Sequence, residues 1–285
     1  MPLSHQEIQK FQRKIFSWWT ENRRDLPWRH THDPYKIMVS EVMLQQTQVF
    51  RVIPKYAEFV EAYPTVTALA HAKTADILVL WKGMGYNRRA LYLKRAAEAV
   101  WEAHKGVFPV SESELVKLAG IGTYTARAIL VFAFKQDIAM VDTNIRKIIT
   151  HFFFKDAKQP EKDIQEVADQ LVPVGKSWEW HQALMDYGAM NASEWRRPER
   201  SPELVEGRSR RMEQKKRVPF HETNRFFRGR IMDLVREKKW KEEELIETMI
   251  NTYGKDLEFY KKCIGKLLQE GLLIRSPHNI VSLPK

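Results

Sequence analysis

The sequence predicts an all-α protein, and three observations carry that expectation. Apolar residues return at three- and four-residue steps over most of the chain, proline and glycine mark short connections between helices of ordinary length, and no strand-like alternation interrupts the first two-thirds.

The first helix is the stripe Ile8, Phe11, Ile15 and Trp18. Breaks then fall at Leu26-Pro27, Asp33-Pro34, Tyr63-Pro64, Gly83 to Gly85, Phe108-Pro109, Gly120 to Gly122 and Val172-Pro173. Residues 1–195 therefore read as one helical domain. Residues 196–218 are polar, rich in Arg and Lys, and broken by Pro198, Pro202 and Gly207, the composition of a solvated basic linker. In residues 219–285 three helical stretches follow, around Ile231-Leu234-Val235, Leu245 to Ile250 and Leu257 to Leu268. Two apolar segments, Leu272 to Ile274 and Ile280 to Leu283, then flank the turn-rich Ser276-Pro277-His278-Asn279, so this region is expected to be a small winged-helix-like domain.

A chain of 285 residues with 44% hydrophobic and 29% charged residues can bury a core of its own. No apolar run approaches the roughly 20 residues needed to span a bilayer, and the N-terminus carries no leader pattern, so a cytoplasmic protein is expected. Its formal charge of +11 points to a polyanionic partner, because Lys and Arg that neutralise phosphates release counterions. The single cysteine, Cys263, supplies neither a disulfide nor the four thiolates of an iron–sulfur cluster, and no metal or other cofactor is expected.

The chemistry concentrates in a few strings. In Leu118 to Arg127, LAGIGTYTAR, Gly120 and Gly122 allow a tight hairpin, and the helix that begins at Thr123, Tyr124 and Thr125 presents free N–H groups and a positive dipole end to an anion. Such a turn grips a DNA phosphate without reading sequence, although a plain helix-to-helix turn would look the same. A similar string, WKGMGYNRR, runs from Trp81 to Arg89 and places Tyr86 beside two arginines. Asp142, in MVDTNIR, is an N-cap candidate that can also face a developing positive charge. Glu41, in SEVMLQQTQV, stands among Val39, Val42 and Met43, where burial would favour its protonated form and exposure would leave it an ordinary helix-surface carboxylate.

Taken together these strings resemble the MutY branch of the helix-hairpin-helix glycosylase superfamily. The resemblance runs from about Trp18 to Met190, through LPWR, DPYK, SEVMLQQTQV, YPTV, WKGMGYNRRA, the LAGIG hairpin, VDTN and HQALMDYGAM. It implies a two-lobed helix-hairpin-helix glycosylase fold with its hairpin at 118–127. The activity implied is base excision: flipping a mispaired base, most simply adenine opposite guanine or 8-oxoguanine, and hydrolysing its N-glycosidic bond.

By resemblance Glu41 is the acid, Asp142 the carboxylate that stabilises the sugar, and Asn144 its orienting partner. Tyr124 stands where strand-cutting relatives keep a lysine, which implies a monofunctional enzyme. Leu26, Trp28, Arg29 and Asp186 match the base pocket. Gln46 and Tyr86 match the wedge and stacking positions, with Thr47 and Met84 beside them, while Gly120, Gly122, Thr123 and Thr125 match the phosphate-gripping hairpin. Two departures are evident: the cysteines that many relatives carry after GAM are missing from Met190-Asn191-Ala192-Ser193-Glu194, and the C-terminal region is too short and helical for a Nudix-like domain. The implied partner is double-stranded DNA carrying a mismatch or lesion, bound by a monomer in the nucleoid of a bacterium or archaeon. Two other readings stay open, thymine or uracil excision opposite guanine and a non-catalytic sensor of DNA distortion; the presence of both Glu41 and Asp142 speaks against the sensor.

Overall fold

A computed structural model describes residues 2–191 and 218–285. Most of the linker expected at 196–218 lies outside the described residues, as do Ala192, Ser193 and Glu194.

The described residues divide between two compact units, each built from two stretches of chain: 2–42 with 108–191, and 43–107 with 218–285. Along the chain run α1 (His5–Asn22), a 3-10 turn (Pro27–Arg29), α2 (Pro34–Leu44), α3 (Val49–Ala62), α4 (Val66–His71), α5 (Thr74–Leu80) and α6 (Arg88–His104). Then come α7 (Glu112–Leu115), α8 (Thr123–Phe134), α9 (Thr143–Phe154), α10 (Glu161–Leu171) and α11 (Ser177–Asn191). Among the described residues up to 191 no strand is present, as the periodicity predicts.

In the first unit, α1 opens with a capping box in which Ser4 and Glu7 satisfy each other's backbone N–H groups. Its buried residues are Phe11, Ile15 and Trp19, at a strict four-residue step. Trp18, placed on the stripe by the sequence, is only partly buried and packs edge-on against Tyr187 at 5.0 Å. These side chains join Ile145, Ile148 and Ile149 of α9, Ile164, Val167 and Leu171 of α10, and Trp180 and Leu184 of α11 in one core. Helix α11 comes close to α9 because residue 188 is glycine: a Cβ there would lie 2.7 Å from the Asn144 Cβ.

The second unit holds α3 to α6 with α12 (Asn224–Glu237), β1 (Trp240–Lys241), α13 (Glu242–Tyr253), α14 (Leu257–Gln269), β2 (Ile274–Arg275) and β3 (Ile280–Ser282). The three C-terminal helices fall where the apolar spacing puts them. The strands β2 and β3 pair antiparallel across the turn, with Ile274 opposite Ser282. β3 also pairs with β1, giving the order β1-β3-β2; a two-residue strand has no periodicity to read, so β1 is not visible in the sequence.

Candidate active site

The first unit gathers three polar side chains from three elements. Glu41 comes from α2 and is 6% exposed, Tyr124 stands in the first turn of α8, and Asp142 caps α9. Burial pushes the Glu41 carboxyl up to about 7; a hydrogen bond from Tyr124 partly offsets this, and the nearby Asp142 charge adds to it. The Tyr124 hydroxyl is driven well above its usual value by burial and by the two carboxylates, so it remains a neutral donor.

Asp142 fulfils its expected capping role, accepting from the Ile145 N–H at 2.7 Å. Burial raises its pKa, while the backbone N–H groups of Ile145 and Asn144 and the charges of Lys147 and Arg146 pull it down. The chain two residues before it is held at Met140 by a residue that sequence reasoning did not single out. His181 is buried, accepts at Nε2 from the Met140 N–H at 3.1 Å, and hence carries its proton on Nδ1, donating to the Ser177 carbonyl at 2.7 Å. Burial pushes this imidazole down to about 4, which keeps it in the neutral form the geometry needs. Arg127 is a second brace, donating to Glu112 at 2.8 Å and to the Ala139 carbonyl at 3.0 Å, so α7, α8 and the strand of chain before Asp142 are tied together.

The 118–127 turn has the hairpin form expected of it. Gly120 takes φ 76°, which a side chain would resist, and Ile121 is buried as an anchor. Gly122 is the N-cap of α8 with nothing within 4 Å of a Cβ position, and no side chain caps this helix. Thr123 is exposed there, whereas Thr125 is buried and points into the unit.

The four residues matched to a base pocket are all buried. Asp186 has no exposed surface and accepts from both Arg29 Nη atoms at 2.8 and 2.7 Å, from Trp19 Nε1 at 2.9 Å, and from the Arg24 backbone and Nε at 3.2 and 2.5 Å. Burial alone would raise its pKa, but the hydrogen bonds and charge of Arg29, then Arg24 and Trp19, hold it below the usual carboxylate range. The pair fixes the 3-10 turn that carries Leu26 and Trp28.

In the second unit Gln46 and Tyr86, the wedge and stacking candidates, are exposed and share a backbone feature: both have positive φ, 56° and 46°. Non-glycine residues stay in this region only where neighbours hold them. One buried side chain holds both. Arg89 donates to the carbonyls of Met43 and Gln45 at 2.8 and 2.7 Å, to Thr47 Oγ1 at 2.9 Å, and to the carbonyls of Met84 and Gly85 at 3.0 and 3.2 Å. Met84 itself is 5% exposed. An arginine after a glycine-rich turn was the available signal for this hub; its partners Met43, Gln45 and Thr47, 42 to 46 residues upstream, were not readable.

The chain has one cysteine, Cys263, buried in α14, so a four-cysteine cluster cannot be assembled from its residues. Among the described residues no group of three or more His, Cys, Asp or Glu is placed to hold a metal ion, and no helix is long and apolar enough to cross a membrane.

Residues 39–174 match the HhH-GPD superfamily of base excision DNA repair proteins. The adenine DNA glycosylase of Mycobacterium tuberculosis is 32% identical over 292 residues, covering 95% of this chain and 92% of that protein. The adenine DNA glycosylase of Buchnera aphidicola subsp. Baizongia pistaciae is 36% identical over 183 residues, 63% of this chain and 52% of that protein, so the chain spans about half the length of this relative. Among solved structures, a thermostable thymine-DNA glycosylase superposes with TM-score 0.62 at 32% identity, covering 65% of this chain and 87% of the other.

Proposed function

We propose that this chain, which belongs to the HhH-GPD superfamily of base excision DNA repair proteins, is a DNA glycosylase that hydrolyses the bond between deoxyribose and a base flipped from a mispaired duplex. The observation that carries the reading is the pairing of two carboxylates that burial raises together, of which Asp142 alone has backbone N–H donors and nearby cations pulling it back toward its charged form. Glu41, with its pKa near 7, is about half protonated at neutral pH and serves as a general acid. Asp142, with backbone donors and the positive end of α9 favouring its charged form, serves as the anion opposite the sugar.

The Glu41 proton passes to the ring of the extruded base as the C1′–N bond breaks and its electrons leave with the base. Positive charge develops on C1′ and O4′ of the sugar, where Asp142 stabilises it. The Glu41 carboxylate then takes a proton from the water that attacks C1′, which restores the acid and leaves an abasic site. Asn144, whose backbone N–H lowers the Asp142 pKa, orients that carboxylate. Tyr124 has no amine to attack C1′, so the strand stays intact.

Leu26 and Trp28, held by the Arg29–Asp186 pair, form the wall that receives the base. The start of α8 takes a DNA phosphate, and Gln46, Thr47, Met84 and Tyr86 form the element that fills the gap in the duplex and meets the opposite base. The substrate read here is adenine opposite guanine or 8-oxoguanine, in keeping with the adenine DNA glycosylases named above. A second reading, thymine opposite guanine, draws on the thymine-DNA glycosylase likeness.

Single-turnover excision on duplexes carrying adenine, thymine or uracil opposite guanine, and adenine opposite 8-oxoguanine, tests both. Release of adenine with the strand cut only after hot alkali is the expected result. Release of thymine alone favours the second reading, and efficient borohydride trapping of the protein on DNA would overturn the monofunctional one.

A further inference from the structure

The turn that carries Tyr86 is gripped from two sides. Gly83, Gly85 and Tyr86 all have positive φ, at 90°, 67° and 46°, and Arg89 supplies the donors that fix the turn from within. On its exposed side lies Arg225, in the first turn of α12. The Arg225 guanidinium carbon sits 3.6 Å from the centre of the Tyr86 ring, and Nη1 donates to the Tyr86 hydroxyl at 2.6 Å. Nη2 lies 3.6 Å from the position a Gly85 Cβ would take, so the guanidinium rests on backbone as well as ring.

Two further facts show that this arrangement is built. Eleven residues along α12, about three turns and so on nearly the same face, Arg236 donates to the Leu78 carbonyl at 2.9 Å and to Asn87 Oδ1 at 3.0 Å, pinning the helix to both flanks of the Tyr86 turn. Arg225 also stands where a helix dipole disfavours a cation, and among the described residues no carboxylate partners it. An exposed, uncompensated guanidinium beside a 39% exposed tyrosine still has donors to offer.

We propose that Arg225 is a specificity-determining residue that donates from its fork to the O6 and N7 acceptors of the guanine opposite the extruded base, with Tyr86 as the ring that holds the guanidinium in place. The inference rests on the proposed function. Its chemistry is the bidentate match of a guanidinium to the guanine edge, the pairing by which arginine commonly reads this base. 8-Oxoguanine carries a hydrogen on N7 and breaks that match, so Arg225 favours guanine over the oxidised base.

The test uses the full chain and duplexes with adenine opposite guanine or opposite 7-deazaguanine, which lacks the N7 acceptor. Affinities are measured in an E41Q background so that no product forms, and excision is measured with Glu41 intact. With Arg225 present, the guanine duplex binds at least about fivefold more tightly than the 7-deazaguanine duplex. Arg225→Ala and Arg225→Lys remove that difference while leaving binding of the 7-deazaguanine duplex unchanged, lysine because it lacks the fork. Equal weakening on both duplexes by Arg225→Ala would indicate a phosphate contact and overturn the proposal, as would no change on either. If the unmodified chain releases adenine yet does not distinguish the two duplexes, the inference fails and the function stands. If it releases no base, both fail.

Discussion

Asp186 and Glu41 are both withdrawn from water in the same unit, at 0% and 6% exposure, yet their titrations move in opposite directions. Asp186 accepts five hydrogen bonds, two of them from a buried guanidinium, and stays ionised below the usual range. Glu41 is buried beside the Tyr124 hydroxyl and the Asp142 charge and rises to about 7. Desolvation is the common cost; what separates the outcomes is the number and charge of the donors. A saturated carboxylate is an anchor, and one with few donors is an acid that works at neutral pH.

Several substitutions would break or sharpen this contrast. The largest effect is expected at Glu41: Glu41→Gln keeps the shape and removes the proton, so single-turnover base release should fall by about 10²- to 10⁴-fold while mismatch binding stays within a few-fold. A variant that retains rates within tenfold would remove Glu41 from the acid role.

Asp186→Asn should leave Arg29 as a buried charge without its counter-ion, costing about 3–5 kcal/mol of stability, read from urea denaturation. If unfolding barely shifts, the pair is not the anchor its geometry indicates.

Glu41→Gln also has a stability signature. The folded pKa of Glu41 lies above its unfolded value, so the wild type is favoured below about pH 4.5 and loses that stability as pH rises toward 7. The Gln variant should therefore gain on the wild type across this window, reaching about 3 kcal/mol above pH 7. A difference that does not change with pH would mean that Glu41 is solvated.

Asp142→Ala should lose one helix cap, about 1 kcal/mol, and also most base release; a variant that loses only the stability would make Asp142 a cap alone. The smallest effect is expected for Tyr124→Phe. Removing the hydroxyl deletes a bond that lowers the Glu41 pKa, so the fall in excision rate with rising pH should move to higher pH. A shift to lower pH would contradict that hydrogen bond.

The sequence was legible where the signal is local. Helix positions follow from apolar spacing, the hairpin from two glycines, the Asp142 cap from one residue before a periodic run, and the C-terminal hairpin from its turn. Glu41 was ambiguous, since buried and exposed readings of one position on α2 differ only in what packs against it. Thr125 and Met84 share strings with exposed partners but are themselves buried, a difference set by which way each side chain leaves the turn.

By itself, then, the sequence determined the helical class, the single cysteine that cannot hold a cluster, and the strings in which Glu41, Asp142 and Asp186 stand. Only the tertiary structure decided that Glu41 titrates upward and Asp186 downward, because donors reach Asp186 from Trp19, Arg24 and Arg29, more than 150 residues away. It alone placed His181 against Met140, Arg89 between two strained turns, and Arg225 on Tyr86, 139 residues apart in sequence. Local pattern fixes which elements form, since each depends on residues a few positions apart. A pKa or a held side chain depends on groups brought together only by packing, and no periodicity encodes them.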